Sequence, residues 1–259
     1  MSNYHAPGAW NTEMKSLAGN NALVTGAAKR IGRAIAEMLA AQGVNVVIHY
    51  NRSASEAESL AERLQGLGVK AWTIQAGLTD PDAAAGLIAR AVELAGPLDA
   101  LVNNAAIFPD SRLADVTPDD ILANVKVNAL SPFAMGRAFA GQGRAGAIVN
   151  MLDCRIAGYD DQHVAYHLSK RMLASLTRMM AVEFAPAVRV NAVAPGLILP
   201  PPGKDEAYLE SLVSTNPLNR HGGPEDVAAA VRFLLEGTFV TGQTIYVDGG
   251  RHMRGRMYE

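Results

Sequence analysis

In Ala22-Leu23-Val24-Thr25-Gly26-Ala27-Ala28-Lys29-Arg30-Ile31-Gly32 a short apolar run meets a glycine turn and hands over to an alanine-rich segment. Ala22–Thr25 predicts a strand and Ile31–Ala41 a helix. Gly26 supplies the tight turn, and Gly32 lets the helix pack close to the sheet. A helix that begins at a strand's end offers unpaired N–H groups and the positive end of its dipole to a diphosphate. Two glycines alone are a weak sign, because many turns need them. Their place after the first strand of a strand–helix series gives them weight.

The rest of the chain continues that alternation. Val44–His49, Val69–Gln75, Leu98–Val102, Ala147–Met151, Val188–Val193 and Gln243–Val247 are short runs suited to strands. Helices are predicted at Ser55–Leu67, Asp82–Leu94, Pro118–Phe139, Ala165–Phe184, Glu206–Val213 and Pro224–Leu235, with a bend near Pro132. Strands that alternate with helices argue for βαβ units, hence an α/β fold with a doubly wound parallel sheet. No repeat or low-complexity linker divides the series. Residues 19–259 are expected to form one dinucleotide-binding domain behind a flexible leader, residues 1–18.

The chain has 259 residues, 49% hydrophobic and 19% charged, enough to bury a large α/β core. A formal net charge of −2 gives no general attraction to nucleic acid or to an acidic membrane surface. No apolar run reaches the roughly 18–20 residues that span a bilayer. The first residues lack the charged start and apolar core of a secretory signal. Cys154 stands alone, which excludes an intrachain disulfide and a cysteine-based zinc site and suits a reducing compartment. A cytoplasmic protein with neither nucleic-acid nor membrane partners is expected.

The second strand ends His49-Tyr50-Asn51-Arg52-Ser53. In a dinucleotide fold this end lies beside the adenosine ribose, where an acid would bind the 2′-hydroxyl of NAD and repel a 2′-phosphate. Here no acid occurs before Glu56. Arg52 and Ser53 offer a cation and a hydroxyl beside Asn51, and Arg30 is placed to reach the same spot from the glycine turn. Two guanidinium groups without a carboxylate predict NADPH. The plainer alternative is that Arg52 only solvates the start of a helix.

Tyr166 and Lys170 are four residues apart in a predicted helix and share a face. A free tyrosine, with a pKa of about 10, is a poor acid–base group at neutral pH. A neighbouring ammonium stabilises the phenolate and lowers that pKa. Tyr-x-x-x-Lys is common by chance, so a surface helix with a lysine is the default until context is added.

The context is Thr25-Gly26…Gly32, Asn103-Asn104-Ala105, Asn128, Tyr166…Lys170 and Pro195-Gly196, in that order along the strand–helix series. Together they resemble the short-chain dehydrogenase/reductase family over essentially the whole chain after Ala18. The resemblance implies a Rossmann-type sheet of about seven parallel strands with helices on both faces, and a homo-oligomer, either dimer or tetramer. It implies that Tyr166 is the proton donor and that Lys170 holds the nicotinamide ribose and tunes Tyr166. Asn128 would anchor a water in the proton relay. Gly26, Arg30, Ile31 and Gly32 would form the cofactor-binding turn, and Asn103, Asn104 and Ala105 would stand beside the cofactor. Pro195 and Gly196 would line the nicotinamide. The chain departs from the family pattern at Arg30, where a third glycine is usual, and at Asp153, where a serine is usual. It also departs at Gly77, where an aspartate commonly meets the adenine.

Asp153 narrows the substrate. A ketone reductase needs donors facing an oxygen that gains negative charge, and an ionised carboxylate there would repel it. In reduction of a C=N bond the nitrogen takes a proton, and a carboxyl group accepts hydrogen bonds from ring N–H groups or relays that proton. The segments Thr25–Gly32 and His49–Ala57 and the set Asp153…Tyr166…Lys170 resemble the pteridine reductase branch of the family. Val240–Gln243 and Asp248–His252 resemble its bacterial dihydromonapterin/dihydrofolate reductases. The resemblance implies that Phe108 stacks on a pterin-like substrate that also meets Asp153 and Tyr166. Ala106 stands where a serine often contacts the pterin or the cofactor phosphate.

Other residues have plainer readings. Cys154 reads as a small buried residue rather than a nucleophile. His163 and His167 flank Tyr166 without a convergent third ligand, so no metal is expected. Met172, Met179 and Met180 suit a helix packed in a core or against another subunit. Pro200-Pro201-Pro202-Gly203 is either a stiff connector or the base of a substrate-covering loop. The competing functions are a carbonyl or imine reductase with another substrate and a non-catalytic NADPH-binding regulator. The Tyr166–Lys170–Asn128 set argues against the regulator, which needs no proton relay.

Overall fold

The computed structural model describes residues 15–158, 162–201 and 203–254. Its strands are β1 (Asn21–Val24), β2 (Asn45–Tyr50), β3 (Ala71–Gln75), β4 (Ala100–Asn103), β5 (Gly146–Met151), β6 (Val188–Pro195) and β7 (Thr244–Val247). Its α-helices are α1 (Arg30–Ala41), α2 (Ala54–Gln65), α3 (Pro81–Ala95), α4 (Pro118–Val125), α5 (Ser131–Ala140), α6 (Val164–Glu183), α7 (Glu206–Glu210) and α8 (Pro224–Glu236). The seven strands form one sheet in the order β3-β2-β1-β4-β5-β6-β7, every neighbouring pair parallel. This is the doubly wound α/β architecture that the alternation predicted.

The period of two along each strand sends neighbouring side chains to opposite layers. Ala22, Val24, Val46 and Ile48 pack with apolar residues of α1, α2 and α8. Leu23, Val47, Leu101 and Ile148 pack with those of α3, α5 and α6. With both faces covered, the central strands stay apolar at successive positions, as Ala22-Leu23-Val24 shows. The chain winds outward from β1 to β3 on one side and from β4 to β7 on the other. That reversal opens a crevice beyond the carboxyl ends of β1 and β4, where ligands of such sheets bind.

Three expectations are corrected. The helix expected over Pro118–Phe139 runs through without a gap but is not regular: a π-helical turn, Lys126–Leu130, joins α4 to α5 just before Pro132. The Ser131 N–H donates to the Lys126 carbonyl, so the hydrogen-bond register widens just where Pro132 has no N–H to give. β3 starts at Ala71 rather than Val69, because the Lys70 N–H donates to the Asn45 side chain at 2.9 Å. Residues 15–18 of the supposed leader pack on the domain. Leu17 is buried in the α1–α8 core, and the Lys15 N–H donates to the Glu236 carbonyl at 3.2 Å. Apolar burial overrides the polar composition of this segment. Residues 1–14 of that leader lie outside the described residues.

Candidate active site

The glycine turn is bolted to the end of β4. The Thr25 hydroxyl accepts the N–H groups of Asn104 at 2.9 Å and Ala105 at 3.0 Å. Asn104 Nδ2 donates back to the carbonyls of Thr25 at 2.9 Å and Gly26 at 3.1 Å. Gly26 takes a φ of +62°, and a Cβ there would lie 3.0 Å from Ala105 Cα. A Cβ on Gly32 would strike the Gly26 carbonyl oxygen and the Asn104 amide. Packing therefore demands both glycines.

Beyond this turn, the N–H groups of Ala28, Lys29, Arg30, Ile31 and Gly32 have no acceptor among the described residues. They stand at the positive end of α1, beside a cavity of about 390 Å³ lined in part by Gly26, Ile31, Asn51, Asn104 and Ala105. Unpaired amides at a helix start beside a groove fit a diphosphate.

The end of β2 differs from the expected pair of arginines. Arg30 lines the groove, but its Nη2 donates to the Pro200 carbonyl at 2.8 Å, in the loop after β6. The Arg30 guanidinium is thus committed away from β2. Lys29 takes that side, its Nζ 2.5 Å from Glu56 Oε1 in the first turn of α2. The ammonium lowers the Glu56 carboxyl below its ordinary range. Arg52 is exposed and has no hydrogen bond or ion pair among the described residues. Sequence reasoning missed Lys29, whose only signal was its place in the turn. Arg30 also takes a φ of +57°, so the position keeps the left-handed backbone that a glycine adopts freely.

At the other end, α6 places Tyr166 and Lys170 side by side, both buried. Tyr166 Oη donates to Asp153 Oδ2 at 3.3 Å, and Asp153 Oδ1 accepts the Arg155 N–H at 2.7 Å. Asp153 thereby caps the short 3₁₀ turn Cys154–Ile156. Lys170 Nζ donates to the Met151 carbonyl at 2.7 Å and lies 5.6 Å from the Tyr166 ring centroid. The expected depression of the tyrosine pKa is corrected. Burial first, and the Asp153 charge second, hold the phenol well above its ordinary value. Burial draws the Lys170 ammonium down to about 8. Tyr166 is a neutral, proton-bearing donor. Cys154 is buried and its thiol is pushed up to about 12, which fits an inert packing residue.

Asn128, in the π-helical turn, joins the β4 loop to α6. Its Oδ1 accepts the Ile107 N–H at 2.9 Å, and its Nδ2 donates to the Ile107 carbonyl and to Ser169 Oγ, each at 3.0 Å. Ser169 Oγ donates to the Tyr166 carbonyl at 2.6 Å. This link sets Phe108, next to Ile107, against α6. Phe108 stacks on His163 with ring centroids 3.8 Å apart and meets Tyr166 edge-on at 4.6 Å. One face of Phe108 is therefore already covered. Ser169 and His163 were not singled out for these roles, because Asn128 and Phe108, which they meet, lie far away in sequence.

Pro195 ends β6, and a Cβ on Gly196 would lie 2.6 Å from Asp248 Cβ. The pair does not line the groove cavity. Ser53 precedes α2. A larger cavity, about 580 Å³, lies between the end of β7 and residues 216–222 and contains neither Tyr166 nor Lys170. Among the described residues, no group of His, Cys, Asp and Glu could hold a metal, and no helix is long and apolar enough to cross a membrane.

Comparison with known proteins adds to this geometry. A family model described as enoyl-(acyl carrier protein) reductase matches residues 26–252. A 3-oxoacyl-[acyl-carrier-protein] reductase of Staphylococcus aureus is 34% identical over 241 residues, covering 90% of this chain and 98% of the relative. The alternative dihydrofolate reductase 1, FolM, of Brucella canis, solved as a complex with NADP, superposes with a TM-score of 0.89 at 34% identity. That match covers 94% of this chain and 98% of the other. A short chain dehydrogenase of Burkholderia cenocepacia, also in complex with NADP, gives a TM-score of 0.85 at 36% identity, covering 92% and 99%.

Proposed function

The chain belongs to the short-chain dehydrogenase/reductase family and is an oxidoreductase of that class; from that premise we propose that it uses NADPH to reduce a C=N bond of a pterin-like substrate. The observation that carries the reading is the Asp153 carboxylate bonded to the Tyr166 hydroxyl, where the family commonly has serine. A carboxylate beside an incipient alkoxide opposes it, whereas a ring N–H can donate to it. The FolM likeness supports the same substrate class.

The five unpaired amides at the start of α1 would hold the diphosphate, and Lys29 and Arg52 would hold the 2′-phosphate. When bound, NADPH supplies the hydride. Tyr166, kept neutral, would give its proton to the substrate nitrogen. Lys170 would bind the ribose, and its Nζ, 5.6 Å from the Tyr166 ring centroid, keeps a positive charge close to Tyr166. Phe108, backed by His163, offers its remaining face to a flat ring. Asn128 holds this wall in place and would anchor a water of the relay.

Along α6, Leu168, Met172, Met179 and Val182 lie on one exposed face, whereas Met180 is buried. A second copy covering that face would make the homo-oligomer, a dimer or tetramer. A reducing compartment, the cytoplasm, suits the free Cys154. The similarity to 3-oxoacyl-[acyl-carrier-protein] reductases favours a second reading, reduction of a ketone.

NADPH oxidation with dihydrobiopterin, dihydromonapterin, dihydrofolate and a panel of ketones and 3-oxoacyl thioesters separates the two. Turnover confined to ketones would overturn the pterin reading and leave the reductase standing.

A further inference from the structure

His49 is a polar residue buried inside β2, 1% exposed, and none of the chemistry above uses it. Its imidazole bridges the glycine turn and the segment just past β3. Nδ1 lies 3.1 Å from the Gly26 amide nitrogen, and Nε2 lies 3.1 Å from the Ala76 carbonyl just past β3. Its own carbonyl accepts the Ala27 N–H at 3.0 Å.

These partners dictate the tautomer. An amide N–H only donates, so Nδ1 carries the lone pair. A carbonyl only accepts, so Nε2 carries the proton. The imidazolium would turn an N–H toward the Gly26 N–H and lose that bond. Burial, chiefly, lowers the ring to about 4, with the Arg90 charge acting in the same direction and the Ala76 bond opposing, so the neutral form holds over the working range of pH.

His49 therefore takes the first two amides of the glycine turn, Gly26 through its ring and Ala27 through its carbonyl. The next five, Ala28 to Gly32, are left without a protein acceptor at the groove. The ring sits on the wall of that groove and ties the turn to the ends of β2 and β3 together. Gly26, with a φ of +62°, has no side chain of its own to hold it there.

From this geometry we infer that His49 is a positioning residue for cofactor binding: its Nδ1 holds the Gly26 turn so that the amides of Ala28–Gly32 meet a diphosphate together. The inference rests on the proposed use of NADPH. It assigns His49 no contact with the reacting atoms.

Two near-isosteric variants separate the two ring contacts. In His49→Asn the amide oxygen falls close to the place of Nδ1 and keeps an acceptor over Gly26. In His49→Gln the longer side chain reaches toward Ala76 and leaves Gly26 without its acceptor. NADPH dissociation constants are measured by fluorescence titration, together with KM and kcat for NADPH and the melting temperature without cofactor. The Asn variant is expected within about threefold of wild type. The Gln variant should bind roughly tenfold more weakly, the size of one lost hydrogen bond, with the loss in KM rather than in kcat. Equal weakening in both variants with parallel losses of melting temperature would reduce His49 to a packing residue and overturn the inference. Wild-type affinity in both would overturn it too. Absence of NADPH binding by the wild-type protein would instead remove the cofactor reading, and this role with it.

Discussion

The hydroxyl of Tyr166 and the carboxylate of Asp153 face each other at 3.3 Å inside the same site, where the phenol is buried. Burial and the Asp153 charge both favour the neutral phenol. Tyr166→Phe removes the donated proton and keeps the ring, so turnover should fall by ~10²–10⁴ while NADPH still binds. Stopped-flow hydride transfer and a direct binding titration check the two halves. Near-full activity of the Phe variant would pass the proton to Asp153 or water.

Replacing the carboxylate tests the substrate class. Asp153→Ser keeps a capping oxygen for the Arg155 N–H but removes the charge. Pterin reduction should drop and a weak ketone activity should rise. Paired kcat/KM values for one dihydropterin and one ketone decide it. A fall in both by the same factor would point to a structural effect alone.

Lys170 predicts a pH dependence. Burial brings its pKa from the ordinary 10.5 to about 8. Between those values the unfolded chain binds more protons than the native one, so this lysine's contribution to stability rises as pH climbs from about 8 to 10.5. A shift of this size corresponds to roughly 3 kcal/mol. Urea midpoints at pH 7.5 and 10 should therefore rise more, or fall less, in wild type than in Lys170→Met. Activity should decline above about pH 8 as the ammonium is lost.

Cofactor choice should depend on Lys29 and Arg52 rather than on Arg30. Arg52→Ala and Lys29→Ala should each weaken NADPH binding by roughly 10- to 100-fold and leave NADH almost unchanged. Arg30→Ala frees the Pro200 carbonyl and should affect both cofactors alike. Dissociation constants for the two nucleotides across the three variants give the answer. Equal losses for NADH and NADPH in Arg52→Ala would remove it from the 2′-phosphate.

Phe108→Ala removes the flat wall and leaves His163 without its stacking partner. The stacking contribution is about 0.5–1.5 kcal/mol beyond burial. KM for a dihydropterin should rise several-fold, with a much smaller change for a small ketone. Steady-state kinetics on both substrates check it.

What the sequence determined by itself was local or periodic. Alternating apolar runs placed the strands and the crevice between β1 and β4, because a side-chain period of two or 3.6 is written in neighbouring residues. Gly26 and Gly32 were readable because a tight turn and a close helix contact leave no room for a Cβ. Tyr166 and Lys170 were readable because four residues make one turn of helix. The tertiary structure decided where long side chains go and what surrounds them. Arg30 turned to Pro200, 170 positions away, and Leu17 joined the core through neighbours on α1 and α8. Phe108 and His163 stacked, and the Tyr166 phenol rose in pKa, through partners that the fold alone brings within reach. A flexible side chain takes its direction, and a titratable group its charge, from whatever distant segments pack beside it, and no short window of sequence contains those segments.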